Sequence, residues 1–192
     1  HYLCYQEFHE QLAAAKILGV KDVRFLPFED GGMYDEVALR IEIAKVIAEI
    51  KPDVVIGPDH KLYPESHPDH LRVGEAVSKA YFMCSNVNMM KSVGATQIAK
   101  PTVLAYYFTC KPNRFVKITK KDFEKTKAAY ACFVSQCPPP DNGKSLMLYM
   151  RLKVRLNGLR SFHIRADAFR VMNNMHIHCC GEAEDTAIRR PL

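Results

Sequence analysis

Lys51-Pro52-Asp53-Val54-Val55-Ile56-Gly57-Pro58, followed after a short polar stretch by Ser66-His67-Pro68-Asp69-His70, decides how this chain is read. The first segment is an apolar run bounded by Pro and Gly, the pattern of a strand covered on both faces in a parallel sheet. In the second, Pro68 suits the first position of a helix with His67 as its cap, and Val73, Ala76, Val77, Ala80 and Tyr81 recur at helical spacing. Residues three apart on a helix share a face, so His67 and His70 reach one point beyond the carboxyl end of the sheet, where open α/β folds bind ligands. A histidine in a first turn is often only a cap or a surface residue. Two of them with a carboxylate between are an arrangement suited to metal or acid-base chemistry, although two His and one Asp do not by themselves close a tetrahedral zinc site.

Outward from this unit, helix and strand signals alternate, as in an α/β sheet. Ala13 to Leu18 reads as a helix ended by Gly19, Val23 to Leu26 as a strand, and Val37 to Ile50 as a helix stopped by Pro52. Gly94 to Pro101 turns the chain toward a strand at Val103 to Tyr107. Later signals are a helix over Phe123 to Val134, a loop at Pro138 to Gly143, a helix over Leu146 to Leu156 and a strand at Ala168 to Met172. The expected fold is α/β, a Rossmann-like, mostly parallel sheet with flanking helices. His176, His178, Cys179 and Cys180 form a second group; strand alternation would put His176 and His178 on one side, and four soft ligands so close together rarely converge on a metal without a turn between them.

With 192 residues and 48% apolar content the chain can build one substantial core, so a single domain is expected over residues 1–192, an α/β core to residue 110 followed by helices and a strand. No stretch reads as a membrane span. The seven cysteines lack a Cys-x-x-Cys pattern and favour reduced thiols and a cytoplasmic location. The net charge is +6, but Lys120, Lys121, Lys125 and Lys127 alternate with Asp122 and Glu124 as on a solvated helix face, and no nucleic-acid reader motif accompanies them. No nucleic-acid partner is expected.

Several segments together resemble the LmbE-like or PIG-L zinc-dependent de-N-acetylases. They are Gln11 to Val20, Phe25-Leu26-Pro27-Phe28-Glu29-Asp30, Ile50 to Val55, Glu65 to His70, Ala105-Tyr106-Tyr107, Lys111-Pro112-Asn113, Ser135-Gln136 and Ala168-Phe169-Arg170-Val171. The resemblance implies a Zn2+-dependent hydrolase that removes the N-acetyl group from an N-acetylglucosamine-type sugar or a short chito-oligosaccharide. It implies His70 as a zinc ligand, His67 as donor to the developing oxyanion and general acid, and Asp69 as a residue orienting the rings. Asp30 matches a position that binds sugar hydroxyls. His178 is a substrate-pocket candidate, contributed across a subunit boundary in a homo-oligomer. The family's His-Pro-Asp-Asp signature, which supplies the other metal ligands and a base at the end of a first strand, is absent from these residues, so the first strand and helix are expected to be missing from this chain. Where the family pattern has an Arg four residues before Gln11, this chain has Glu7. The second reading is therefore a non-catalytic remnant that keeps the fold and a sugar-binding cleft.

Overall fold

The computed structural model describes residues 2–178, with side chains from Tyr5 onward. The chain packs as two compact units, one formed by residues up to Phe25 with Phe115–Asp167, the other by Leu26–Arg114 with the residues from Ala168 on.

The second unit holds the deciding stretch. Helix α2 (Glu36–Ile50) starts where the Asp35 carboxylate accepts the Ala38 N–H at 2.8 Å and ends at Lys51, whose left-handed backbone (φ 53°) returns its N–H to the Ile47 carbonyl ahead of Pro52. Strand β1 (Val54–Pro58) follows, then α3 (Pro68–Met83), capped by His67 with Pro68 in its first turn as expected. The short helix α4 (Val87–Ser92) leads to β2 (Val103–Tyr107), which pairs parallel with β1 from Val54 opposite Val103 to Pro58 opposite Tyr107. Ala44, Ile47 and Ala48 of α2, Val77, Ala80 and Tyr81 of α3, and Leu104 and Tyr106 of β2 close the core. α3 lies hard against the end of β1: a Cβ at Gly74 would run into the Pro58 carbonyl oxygen and the His60 backbone.

Strand β3 (Arg114–Lys117) and strand β4 (Ala166–Met172) complete a four-stranded sheet in the order β1-β2-β4-β3. The expected sheet flanked by helices is present, but its pairing is mixed, because β4 runs antiparallel to β2, with Leu104 opposite Met172. β1 is not covered on both faces. Val55 and Gly57 are buried, whereas Val54 and Ile56, on the other face, are 48% and 56% exposed, since α2 and α3 lie on one side only. The expected strand at Val23 to Leu26 joins no ladder; with no partner strand among the described residues it has nothing to hydrogen-bond to.

In the first unit, α1 (Tyr2–Leu18) packs on α5 (Lys120–Tyr130), which opens with a reciprocal cap between Thr119 and Asp122 and ends earlier than its apolar pattern implied. α6 (Lys144–Arg160) is longer at both ends than its expected span. Glu10 of α1 accepts from Ser135 Oγ at 2.5 Å, and Glu7 accepts from Gln136 Nε2 at 3.0 Å. Finally, α7 (Asn174–His178) replaces the strand on which His176 and His178 would share a side; successive alternate residues on a helix diverge instead. Cys179 and Cys180 lie outside the described residues.

Candidate active site

The loop from Asp59 to His67 leaves the carboxyl end of β1 and delivers Glu65, His67 and the first turn of α3 to one place. Glu65 organises it. Its Oε1 accepts the backbone N–H groups of Ser66 and His67, each at 2.8 Å, and its Oε2 lies 2.8 Å from His70 Nδ1. Hydrogen bonds from His70 and from the His67 amide hold the Glu65 carboxyl down at about 2, so it is an acceptor across the neutral range. His70 Nδ1 must then carry the proton, which leaves the Nε2 lone pair free for a metal or a substrate proton. The His67 and His70 rings stack with centroids 4.7 Å apart, and Phe108 approaches His70 from the end of β2, its centroid 6.3 Å away. Phe108 has φ 51°, a rare conformation for an aromatic residue.

His67 differs from His70 in its proton. As the helix cap its Nδ1 accepts the Asp69 N–H at 3.3 Å, so the neutral ring carries its hydrogen on Nε2 and can donate.

Asp69 faces the other way, toward the loop after Phe28. Its Oδ2 accepts the Gly31 N–H at 2.7 Å. Burial pushes the Asp69 carboxyl up, but hydrogen bonds with Asp30 and the Gly31 amide outweigh this and bring it down to about 2; Asp30 is correspondingly raised by its hydrogen bond to Asp69. The two carboxyls are an interacting pair in which Asp69 is the more acidic partner. The buried Tyr34 hydroxyl is pushed up to about 12 by burial and by its interaction with Asp69. Asp30, His67 and Asp69 each offer a ligand atom within 4.8 Å of the others, the one such three-residue group among the described residues.

Four of the five sequence-derived site residues, Asp30, His67, Asp69 and His70, thus meet at the start of α3. His178 does not. Its ring lies 5.3 Å from that of Phe82, about 21 Å further along α3 at 1.5 Å per residue. Glu65 and Tyr34 escaped the sequence reading, Glu65 despite standing inside the motif, because a carboxylate five residues before a histidine signals nothing until a turn folds it back. The pair beneath the loop was also missed: Asp59 and Arg170 are each 2% exposed and joined through two hydrogen bonds, at 2.9 and 2.5 Å. Burial raises the Asp59 carboxyl, yet the Arg170 bonds more than compensate and leave it below its ordinary range. The Arg170 guanidinium lies 4.4 Å from the Tyr106 ring centroid, and the same ring meets His60 edge-on.

An α/β sheet with an imidazole pair and acidic side chains at the carboxyl ends of its parallel strands defines a protein with a polar, metal-suited site at its strand ends. Comparison with known proteins narrows the class. The PIG-L family of GlcNAc-PI de-N-acetylases matches residues 4–81. The diacetylchitobiose deacetylase of Thermococcus kodakarensis is 32% identical over 184 residues, covering 94% of this chain and 67% of that protein. A probable N-acetyl-alpha-D-glucosaminyl L-malate deacetylase of Bacillus anthracis is 39% identical over 71 residues, covering 35% of this chain and 30% of that protein. Among solved structures, the N,N'-diacetylchitobiose deacetylase of Pyrococcus horikoshii in complex with an inhibitor superposes with a TM-score of 0.83 at 27% identity, covering 93% of this chain and 67% of that one. The chain belongs to the PIG-L family of de-N-acetylases. A hydratase from Pseudomonas putida shares the fold at a TM-score of 0.70 and 16% identity, over 87% of this chain and 71% of its own, so the fold alone does not choose the reaction.

Proposed function

We propose that this chain carries the oxyanion-binding and metal-binding half of a hydrolase site that removes the acetyl group from an N-acetylglucosamine-type sugar or a short chito-oligosaccharide. The observation that carries the reading is the Glu65–His70 contact at 2.8 Å beside a donor-poised His67. Family membership and the two diacetylchitobiose deacetylases support the substrate class.

The donors fit zinc in kind. A metal-bound histidine ordinarily donates its second ring N–H to a carboxylate, and Glu65 accepts it here. His70 would hold the ion through Nε2, and the ion would supply Lewis-acid chemistry, activating water at neutral pH and polarising the amide carbonyl. His67 would donate from Nε2 to the carbonyl oxygen as it gains charge and keep that hydrogen, the only N–H hydrogen of the neutral ring; the proton the departing amine needs is the one the base takes from the attacking water. Asp69 fixes the loop carrying Asp30 to the start of α3, and the Asp30 carboxyl offers an acceptor to a sugar hydroxyl.

Asp30, His67 and Asp69 are the competing ligand set. Against it stands the hydrogen bond Asp69 already accepts from Gly31, which holds that carboxylate on the loop without an ion. His70 alone cannot close a zinc site. The remaining ligands, a His and a carboxylate, with a second carboxylate as base, would come from a strand set along the outer edge of β1, which has no partner among the described residues.

The test is to extend the chain with an amino-terminal strand ending in His-Pro-Asp-Asp and to measure acetate released from N,N'-diacetylchitobiose with zinc. Release that disappears with His70→Ala is expected. An extended chain that binds zinc but releases no acetate would leave the second reading, a sugar-binding remnant, which Glu7 in place of an arginine favours.

A further inference from the structure

Helix α6 contains five basic residues, Lys144, Arg151, Lys153, Arg155 and Arg160, and no acidic one. Its buried side is small, consisting of Val154, Asn157 and Gly158. Leu148, Tyr149, Leu152, Leu156 and Leu159 are instead 52% to 75% exposed. On a helix of 3.6 residues per turn these five occupy one continuous sector of about 100°, a stripe running the length of the helix. Lys144, Arg151 and Arg155 fall along one border of the stripe, and Lys153 and Arg160 along the other. Beyond the helix end Phe162 is 98% exposed, in a left-handed conformation at φ 60°, and Ile164 is 82% exposed. They line a shallow depression with Lys117, Lys120 and Arg165. A single exposed leucine needs no explanation, but a contiguous apolar stripe along a whole helix calls for an occupant.

We propose that this face of α6 docks on an anionic lipid surface. Charge chooses the occupant. A second copy seated α6 against α6 would oppose two all-basic borders with no acid in either helix to pair them. A protein partner would need an acid-rimmed groove long enough to take a 17-residue helix. An anionic bilayer presents an apolar interior beneath negative headgroups and requires no shape match. Leucines sink into it while the flanking Lys and Arg extend their stems to the headgroups. Attachment of this kind is peripheral, and no helix among the described residues is long and apolar enough to cross a membrane.

The experiment is co-sedimentation of the whole 192-residue chain with vesicles rich in phosphatidylglycerol and with vesicles of phosphatidylcholine alone. Binding to the anionic vesicles only is expected, weakening as salt rises. The double variant Leu152→Glu, Leu156→Glu should bind about tenfold more weakly or worse, with an unchanged circular dichroism spectrum, because both positions are exposed. The chain has no tryptophan, so Leu156→Trp adds a single reporter whose emission should shift to the blue on anionic vesicles; this variant keeps the stripe apolar and serves if the double variant misfolds. The idea is overturned by equal binding to both vesicle types, by no binding, by a reporter that does not shift, or by an oligomer that Leu152→Glu, Leu156→Glu converts to monomer.

Discussion

At the residue scale the site divides labour between two histidines one helical turn apart, and the difference is which nitrogen keeps its proton. His70 gives Nδ1–H to Glu65 and presents a lone pair; His67 receives the Asp69 amide on Nδ1 and presents a hydrogen. A ligand and a donor fail differently. In the extended chain, His70→Ala should lose zinc and turnover together, whereas His67→Ala should keep zinc and lose about 10²–10³ in rate, the usual size for one oxyanion donor. Zinc content by atomic absorption beside the acetate assay separates them, and equal metal content in the two variants would show the assignment to be wrong. Glu65→Gln keeps the shape of the side chain but removes its charge, so zinc should bind about 10–100-fold more weakly by competition with a chromophoric chelator.

At the scale of elements, the Asp59–Arg170 pair ties the end of β1 to β4 directly under the loop that carries Glu65. Removing one partner strands the other charge in a place without water, so Arg170→Ala should cost about 3–5 kcal/mol in urea unfolding. The same pair sets a pH dependence. The folded-state pKa of Asp59 is depressed, so its stabilisation is present above the ordinary aspartate pKa and is lost as pH falls through the lowered value. Urea midpoints should therefore drop on acidification below about pH 4, and the drop should shrink in Asp59→Asn, where the titrating group is gone. Packing of α3 on β1 is equally specific: Gly74→Ala drives a methyl group into the Pro58 carbonyl and should cost about 1–3 kcal/mol.

For the whole molecule, the mixed sheet leaves β1 at its end with an unpaired outer edge among the described residues and with Val54 and Ile56 exposed on one face. The 192-residue chain by itself is expected to bind zinc weakly and release no acetate, because one imidazole is too few for a tight site. Isothermal titration with zinc checks this. Tight, stoichiometric binding with turnover would mean that Asp30, His67 and Asp69, not His70, hold the ion.

What was legible in the sequence was local: α2, β1, α3 and β2 stand where apolar periodicity, Pro68 and the stop before Pro52 put them, and the His67–His70 spacing put both rings in one first turn. These follow from interactions within a few residues, which composition and spacing encode directly. Only the tertiary structure decided that Glu65 turns back onto His70, that Asp69 grips the loop of Asp30, that Arg170 is buried against Asp59, and that His178 lies at the far end of α3. It also decided that Val23 to Leu26 pairs with nothing, since a strand exists only through hydrogen bonds to a neighbour distant in the chain. Each of these depends on which distant segments the packed core brings together, and spacing along one chain carries no record of that.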